Sequence, residues 1–108
     1  MNDVAKGVPA VLAVLADETR WNILTAIGAE DLSASALAER LPVSRQAIAK
    51  HLTVLADAGL VESFRIGREI RYRAVGARLG ELAGELDSIG RQWDRRLEAI
   101  KRIAERPD

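Results

Sequence analysis

The chain has 108 residues, of which 48% are hydrophobic and 30% charged, and this composition is typical of one folded globular domain rather than of a disordered chain. The formal net charge is zero, so the overall charge does not indicate a nucleic-acid partner. There is no cysteine, which excludes disulfides, thiolate metal sites and cysteine nucleophiles.

The N-terminal part of the chain predicts three helices. Pro9 suits the first turn of a short helix, where its missing N–H is harmless. Asp17 is a good N-cap for a second helix, because its carboxylate can accept a hydrogen bond from an unpaired N–H of the first turn. Ser33 can cap a third helix that ends at Leu41, because Pro42 cannot continue the helix and disfavours helical geometry in the preceding residue.

The stretch VSRQAIAKHLTVLADAGLV, residues 43–61, predicts a fourth helix with two unlike faces. Ser44 is its N-cap and Gly59 its C-terminal stop. Leu52 and Leu55 fall within about 40° of Ile48 on a helical wheel, and together these residues form the buried side. The third and fourth helices, joined by a short turn, make a predicted helix-turn-helix over residues 33–58.

The pattern after the fourth helix changes to a period of two residues. Residues 61–66 and 69–74 predict two strands, with Gly67 and Arg68 at the tip of a hairpin. We call this hairpin, residues 61–74, the wing. Residues 43–75 carry six basic and three acidic side chains, whereas residues 1–42 carry three basic and six acidic ones. The middle third is therefore the electropositive part of the chain.

The helical period returns from residue 77 to residue 105. Large apolar residues recur there every three or four positions, as in a coiled-coil seam. A helix of this length extends roughly 40 Å, which is too far for so small a domain to cover alone, so we expect a homodimer through the terminal helices. The alternative is that the seam packs onto its own domain. The residues predicted for the dimer interface are Leu82, Leu86, Ile89, Trp93, Leu97 and Ile100.

The polar face of the fourth helix has the side chains that reading a DNA major groove requires. Arginine can bond guanine and glutamine can bond adenine in a bidentate manner, and a small residue permits close approach to the bases. The unpaired N–H groups at a helix N-terminus suit phosphate. Arginine at the tip of a wing can enter a minor groove or bind phosphates. The candidate DNA-binding residues are Ser44, Arg45, Gln46, Ala49, Lys50, Thr53, Arg65 and Arg68.

Three segments, LADETRWNIL, LSASALAERLPVSRQAIAKHLTVLADAGLV and RIGREIRYRA, resemble the ArsR (arsenical-resistance-repressor) family of winged-helix regulators. The resemblance covers about residues 12–75, and its most specific parts are the run from His51 to Val61 and the Gly67-Arg68 tip. It implies a winged helix-turn-helix fold, mainly α with a small β-hairpin, in the order α-α-α-α-β-β-α. It also implies a small dimeric repressor that binds a palindromic operator in double-stranded DNA and releases it on a signal.

Many members of that family sense metal through a Cys-x-Cys at the start of the third helix, where this chain has Ser33 and Ser35. Serine hydroxyls are poor ligands for soft or borderline metals, and the one histidine, His51, lies in the fourth helix. We therefore expect no metal sensing and no cofactor, as in a subgroup whose tail resembles LDSIGRQWDRRLEAIKRIAE. Two possibilities stay open, an unknown small-molecule inducer near Trp21 and Trp93 and a site made of Asp and Glu alone across the dimer.

Three other interpretations compete with DNA reading. The polar face of the fourth helix could simply be solvated, or the fold could bind a protein, in which case apolar or acidic residues would replace Arg45, Gln46 and Lys50. An enzyme would need a phosphate-binding loop, a metal-binding motif or a Ser-His-Asp set, and none is visible. No charged-then-apolar leader and no apolar run of about 18 residues is visible either, so we expect a cytoplasmic protein with no membrane partner.

Overall fold

The structure of the protein, a computed structural model, describes residues 7–106. Within that range the chain forms five helices and three strands. In chain order they are α1 (Val8–Leu15), α2 (Glu18–Ala29), β1 (Leu32–Ser33), α3 (Ala34–Arg40), α4 (Arg45–Asp57), β2 (Val61–Ile66), β3 (Glu69–Ala74) and α5 (Gly76–Ala104). The predicted fold, mainly α with a small hairpin, is confirmed, and β1 is an element that the sequence did not indicate.

Side-chain caps begin three of the helices where the sequence places them. The Asp17 carboxylate accepts a hydrogen bond from the backbone N–H of Arg20 at 3.0 Å. The hydroxyl oxygens of Ser33 and Ser44 each accept from the N–H three residues further on, at 3.1 Å. Each cap satisfies an N–H that the helix itself leaves unpaired, which is why α2, α3 and α4 start next to these residues.

The chain geometry before and after α4 defines the helix-turn-helix. Leu41 is extended, with φ of −116° and ψ of 148°, as expected for a residue before proline, so α3 ends before α4 begins. After α4, Gly59 has a φ of 78°, a left-handed conformation that glycine adopts at little cost. This conformation redirects the chain, and Leu60 and Val61 enter the core immediately afterwards.

The three strands form an antiparallel sheet in the order β1-β3-β2. Leu32 of β1 pairs with Tyr72, and Ser33 pairs with Arg71. A strand of two residues has no periodicity to detect, so the sequence could not reveal β1. The strands of the wing pair along their whole length, and Gly67 at the tip has a φ of 60° that suits the turn.

The core is formed mainly by α2, α3, α4 and the start of the wing. Ile23, Leu37, Ile48 and Leu55 are fully buried in it. Each such side chain contributes about 1.5–3 kcal/mol to folding by leaving water. The last helix contributes Leu82, near its start, and its later apolar residues are exposed. The part of α5 that follows Leu82 therefore extends away from the core.

Candidate nucleic-acid interface

The polar face of α4 is turned to solvent. Because Ile48, Leu52 and Leu55 are buried, the opposite side of the helix is exposed. The predicted DNA contacts of this helix and its cap are all exposed: Ser44, Arg45, Gln46, Ala49, Lys50 and Thr53. The Thr53 hydroxyl donates to the Ala49 carbonyl at 3.1 Å. Phosphate oxygens only accept, so Thr53 cannot donate to a phosphate while it keeps this bond.

The wing stands beside the start of α4. A groove of about 530 Å³ lies between them, and the start of α3 also lines it. Its lining includes Ser35, Arg45, Ala49, Arg68 and Tyr72. The structure thus brings predicted contacts from α4 and from the tip of the wing together around one groove, although they are far apart in sequence.

Two of the four arginines of the wing are neutralised within the hairpin. Arg71 contacts Glu69, with 2.6 Å between Nε and Oε1, and Arg73 contacts Glu62 at 2.8 Å between the same atoms. Arg73 also lies over the ring of Phe64, 4.5 Å from its centroid. The strand register places all five side chains on one side of the hairpin, because alternate residues of a strand share a side.

The other two arginines of the wing have a different environment. Arg65 belongs to the opposite side of the hairpin and Arg68 to its tip, and both are exposed. Neither forms an ion pair with any residue in 7–106, and the same is true of Arg45 and Lys50 on α4. We call these four residues the uncompensated cations. They give α4 and the wing a positive charge that the zero net charge of the chain conceals.

His51 is directed towards its own chain. Its Nδ1 atom lies 3.4 Å from Nη1 of Arg20, whose Nε donates to the Val14 carbonyl at 2.7 Å. The pKa of Asp17 is lowered, mainly because its carboxylate accepts the backbone N–H of Arg20; the positive charge of Arg20 lowers it further, and burial opposes the shift. Sequence reasoning missed this contact because 31 positions separate the two residues.

Ser33 and Ser35 are the residues that the family resemblance aligns with the Cys-x-Cys of metal-sensing members. The Ser33 hydroxyl accepts the N–H of Ala36 as a helix cap, and Ser35 is exposed at the groove beside the wing. Within residues 7–106, no three side chains of His, Cys, Asp or Glu come close enough together to hold a metal ion.

The residues predicted for a dimer interface differ in their exposure. Leu82 is only 9% exposed and belongs to the core of its own chain, so it has little surface left for a partner. The others are 44–59% exposed, and Ile103, which is not among the predicted residues, continues the row. We define the α5 seam as Leu86, Ile89, Trp93, Leu97, Ile100 and Ile103.

None of the helices in residues 7–106 has both the length and the apolar composition that a membrane span requires.

Exposed apolar side chains of α1 and α2 extend the α5 seam. Leu12 and Trp21 are exposed, and they line a groove of about 370 Å³ together with Leu15, Leu24 and Leu86. Large contiguous apolar patches are uncommon on monomeric proteins and mark interaction sites. The groove and the seam are therefore a second candidate functional surface, separate from the uncompensated cations.

A helix-turn-helix whose second helix exposes a polar face, flanked by a two-stranded hairpin, defines the winged helix-turn-helix class. The sequence model of a family described as a helix-turn-helix domain matches residues 15–63. A solved structure, an ArsR-like transcriptional regulator from Rhodococcus sp. RHA1, is 63% identical, and the match covers 93% of this chain and 94% of that chain with a TM-score of 0.81.

Curated relatives are more distant. The HTH-type transcriptional regulator CmtR of Mycobacterium tuberculosis is 36% identical over 69% of this chain, and the match covers 64% of the relative's length. The transcriptional repressor SdpR of Bacillus subtilis is 32% identical over 57% of this chain and 69% of the relative. The protein belongs to the ArsR family of winged helix-turn-helix transcriptional regulators, as the resemblance predicted.

Proposed function

We propose that the protein is a homodimeric repressor that binds a pseudo-palindromic operator in double-stranded DNA. Residues 44–58 are the recognition helix in the major groove, and residues 67–68 of the wing contact the minor groove or the backbone. The observation that carries the proposal is the division of the basic residues. The uncompensated cations Arg45, Lys50, Arg65 and Arg68 are available to an external anion, whereas Arg71 already has an internal one.

The chemistry of α4 suggests a role for each residue. Arg45 and Gln46, at the exposed first turn, are suited to bidentate contacts with guanine and adenine. Ala49 allows the helix to approach the bases and can touch a thymine methyl group. Lys50 is suited to phosphate, and Ser44 marks the positive end of the helix dipole, where a phosphate is also favoured.

The α5 seam supports the homodimer. Its six side chains follow one side of a helix that leaves the core after Leu82, and nothing within residues 7–106 buries them. A second copy of the same helix would remove this surface from water, which is favourable at about 25 cal/mol per Å² of apolar area. Two-fold symmetry then requires two half-sites about one or two turns of DNA apart.

The proposal takes residues 1–108 as one domain, with the helix-turn-helix at 33–58, the wing at 61–74 and the dimerisation helix at 77–105. It includes no catalytic activity, no metal and no cofactor. A regulator that reads DNA acts where the chromosome is, so the proposed location is the cytoplasm. If a small molecule releases the protein from DNA, the groove at Trp21 and the adjoining α5 seam around Trp93 are the places to search for its site.

The first test measures binding to the DNA upstream of the protein's own gene. Fluorescence anisotropy at two salt concentrations compares this duplex with a scrambled one. We expect saturable binding, at two chains per site, that is at least about 10³-fold tighter than to the scrambled duplex. Equal weak binding to both duplexes would be followed by selection of bound fragments from the whole genome. Failure of that selection to enrich any sequence would refute the proposed function in favour of a protein partner.

A further inference from the structure

We infer that Arg20 is a positioning residue for DNA reading, which holds the recognition helix α4 in its orientation through a hydrogen bond to His51. The inference rests on the proposed function, because it concerns the helix that is proposed to enter the major groove. Arg20 itself is on α2, and its side chain is 20% exposed.

The Arg20 guanidinium contacts three elements at once. Its Nε donates to the carbonyl of Val14, at the end of α1, at 2.7 Å. Its Nη1 lies 3.4 Å from Nδ1 of His51 on α4 and 3.9 Å from Oδ2 of Asp17, the N-cap of α2. The guanidinium is planar and its donors have fixed directions, so these contacts define both the distance and the angle between α4 and the corner of α1 and α2.

Apolar packing alone would define the orientation of α4 less sharply. Ile48, Leu52 and Leu55 bury one side of the helix, but van der Waals contacts have little directional preference. Reading bases requires side chains held to about 0.5 Å and 10–20°. His51 is half-buried at the edge of the apolar side, where a directional hydrogen bond can limit rotation of the helix about its axis.

The hydrogen bond also determines the state of the imidazole. Arg20 can only donate, so Nδ1 of His51 must carry no proton, and the neutral ring must carry it on Nε2. The chain has a single histidine. Its ring nitrogens can therefore be assigned without ambiguity in a long-range ¹H–¹⁵N spectrum of the untagged protein, without any DNA.

The test compares three variants with the wild-type protein. Arg20→Gln removes the guanidinium, and His51→Leu removes the acceptor while Arg20 keeps its bond to Val14. His51→Asn is the matched rescue, because its amide oxygen can take the place of Nδ1. Each variant is titrated with the specific duplex and with the scrambled duplex at several salt concentrations, and its unfolding in urea is measured so that all titrations use folded protein.

We expect the wild-type spectrum to show the Nε2–H tautomer. Arg20→Gln and His51→Leu should weaken binding to the specific duplex about tenfold, the effect of losing one charge-assisted hydrogen bond. Binding to the scrambled duplex and the salt dependence should not change, because no phosphate contact is lost. His51→Asn should restore most of the affinity. If Arg20→Gln does not fold, the comparison of His51→Leu with His51→Asn decides the matter alone.

Several results would overturn the inference. A wild-type imidazole protonated on Nδ1 would exclude the hydrogen bond. Unchanged specific affinity in His51→Leu would show that the contact does not position α4. Equal weakening on both duplexes with a smaller salt dependence would make Arg20 a phosphate contact instead. If the genome-wide selection yields no duplex that the wild-type protein prefers to the scrambled one, the proposed function itself is refuted. That outcome differs from one in which the wild type prefers the specific duplex and the variants bind it equally tightly, which refutes only the role of Arg20.

Discussion

Arg68 provides a quantitative test of the wing. It is exposed at the tip of the hairpin and forms no ion pair within residues 7–106. Each phosphate contact adds about 0.9 to the exponent with which affinity falls as salt rises. A dimer has two wings, so Arg68→Ala should lower this exponent by about 1.8. Between about 50 and 200 mM salt, the ratio of wild-type to variant affinity should then change about 12-fold.

The assay is fluorescence anisotropy with a labelled random duplex, because a phosphate contact does not depend on the base sequence. The matched control is the double variant Glu69→Ala, Arg71→Ala, which removes an ion pair from the same hairpin without a change in net charge. We expect the control to keep the wild-type exponent. If Arg68→Ala also keeps it, or if the control loses as much as Arg68→Ala does, the reasoning from internal ion pairs is wrong.

Four further predictions concern other parts of the molecule. Arg45→Ala should cost about 1–3 kcal/mol at one base pair of each half-site, measured on operator variants; an equal loss on every duplex would limit Arg45 to phosphate contact. Leu97→Asp places a charge in the α5 seam, so sedimentation velocity should show a monomer in place of the dimer. Arg95→Asp, on the opposite side of α5, should remain a dimer. A monomeric wild type would contradict the proposed dimer. Leu55→Ala should lower the free energy of unfolding in urea by about 2–5 kcal/mol at a fixed chain concentration, and a loss below about 1 kcal/mol would contradict its full burial. Folding lowers the pKa of Asp17, so its contribution to stability is present above the unfolded pKa and is lost as the pH falls through the folded pKa. Below about pH 4, the free energy of unfolding of the wild type should therefore fall more steeply with pH than that of Asp17→Ala. Parallel plots of unfolding free energy against pH would contradict this.

The helices and the wing could be predicted because local chemistry determines them. The caps at Asp17, Ser33 and Ser44 and the stop at Gly59 act within a few residues of their own position, so the sequence shows them directly. The strand β1 could not be predicted, since its two residues are a strand only because β3 lies beside them. Leu32 therefore has no local pattern to identify it.

The candidate DNA surface was predictable in part. The exposed face of α4 follows from its apolar period alone. The sequence singled out Arg65 and Arg68 among the four arginines of the wing. The paired strands add that Arg71 and Arg73 contact Glu69 and Glu62, whereas Arg65 and Arg68 have no acidic partner within residues 7–106. The α5 period likewise could not show that Leu82 is a core residue, because a repeat of apolar residues continues unchanged where the helix leaves the domain.

The sequence by itself therefore determined the order of the five helices and the two wing strands, the polar face of α4 and the family, since all of these depend on spacing over short distances. Tertiary structure alone decided that Arg73 meets Glu62, 11 positions away, and where α5 leaves the core. It also decided that Arg20 meets His51 across 31 positions of the chain. The physical reason is that electrostatic and hydrogen-bond partners are chosen by proximity in space, which the folded backbone creates and the linear spacing of residues does not record.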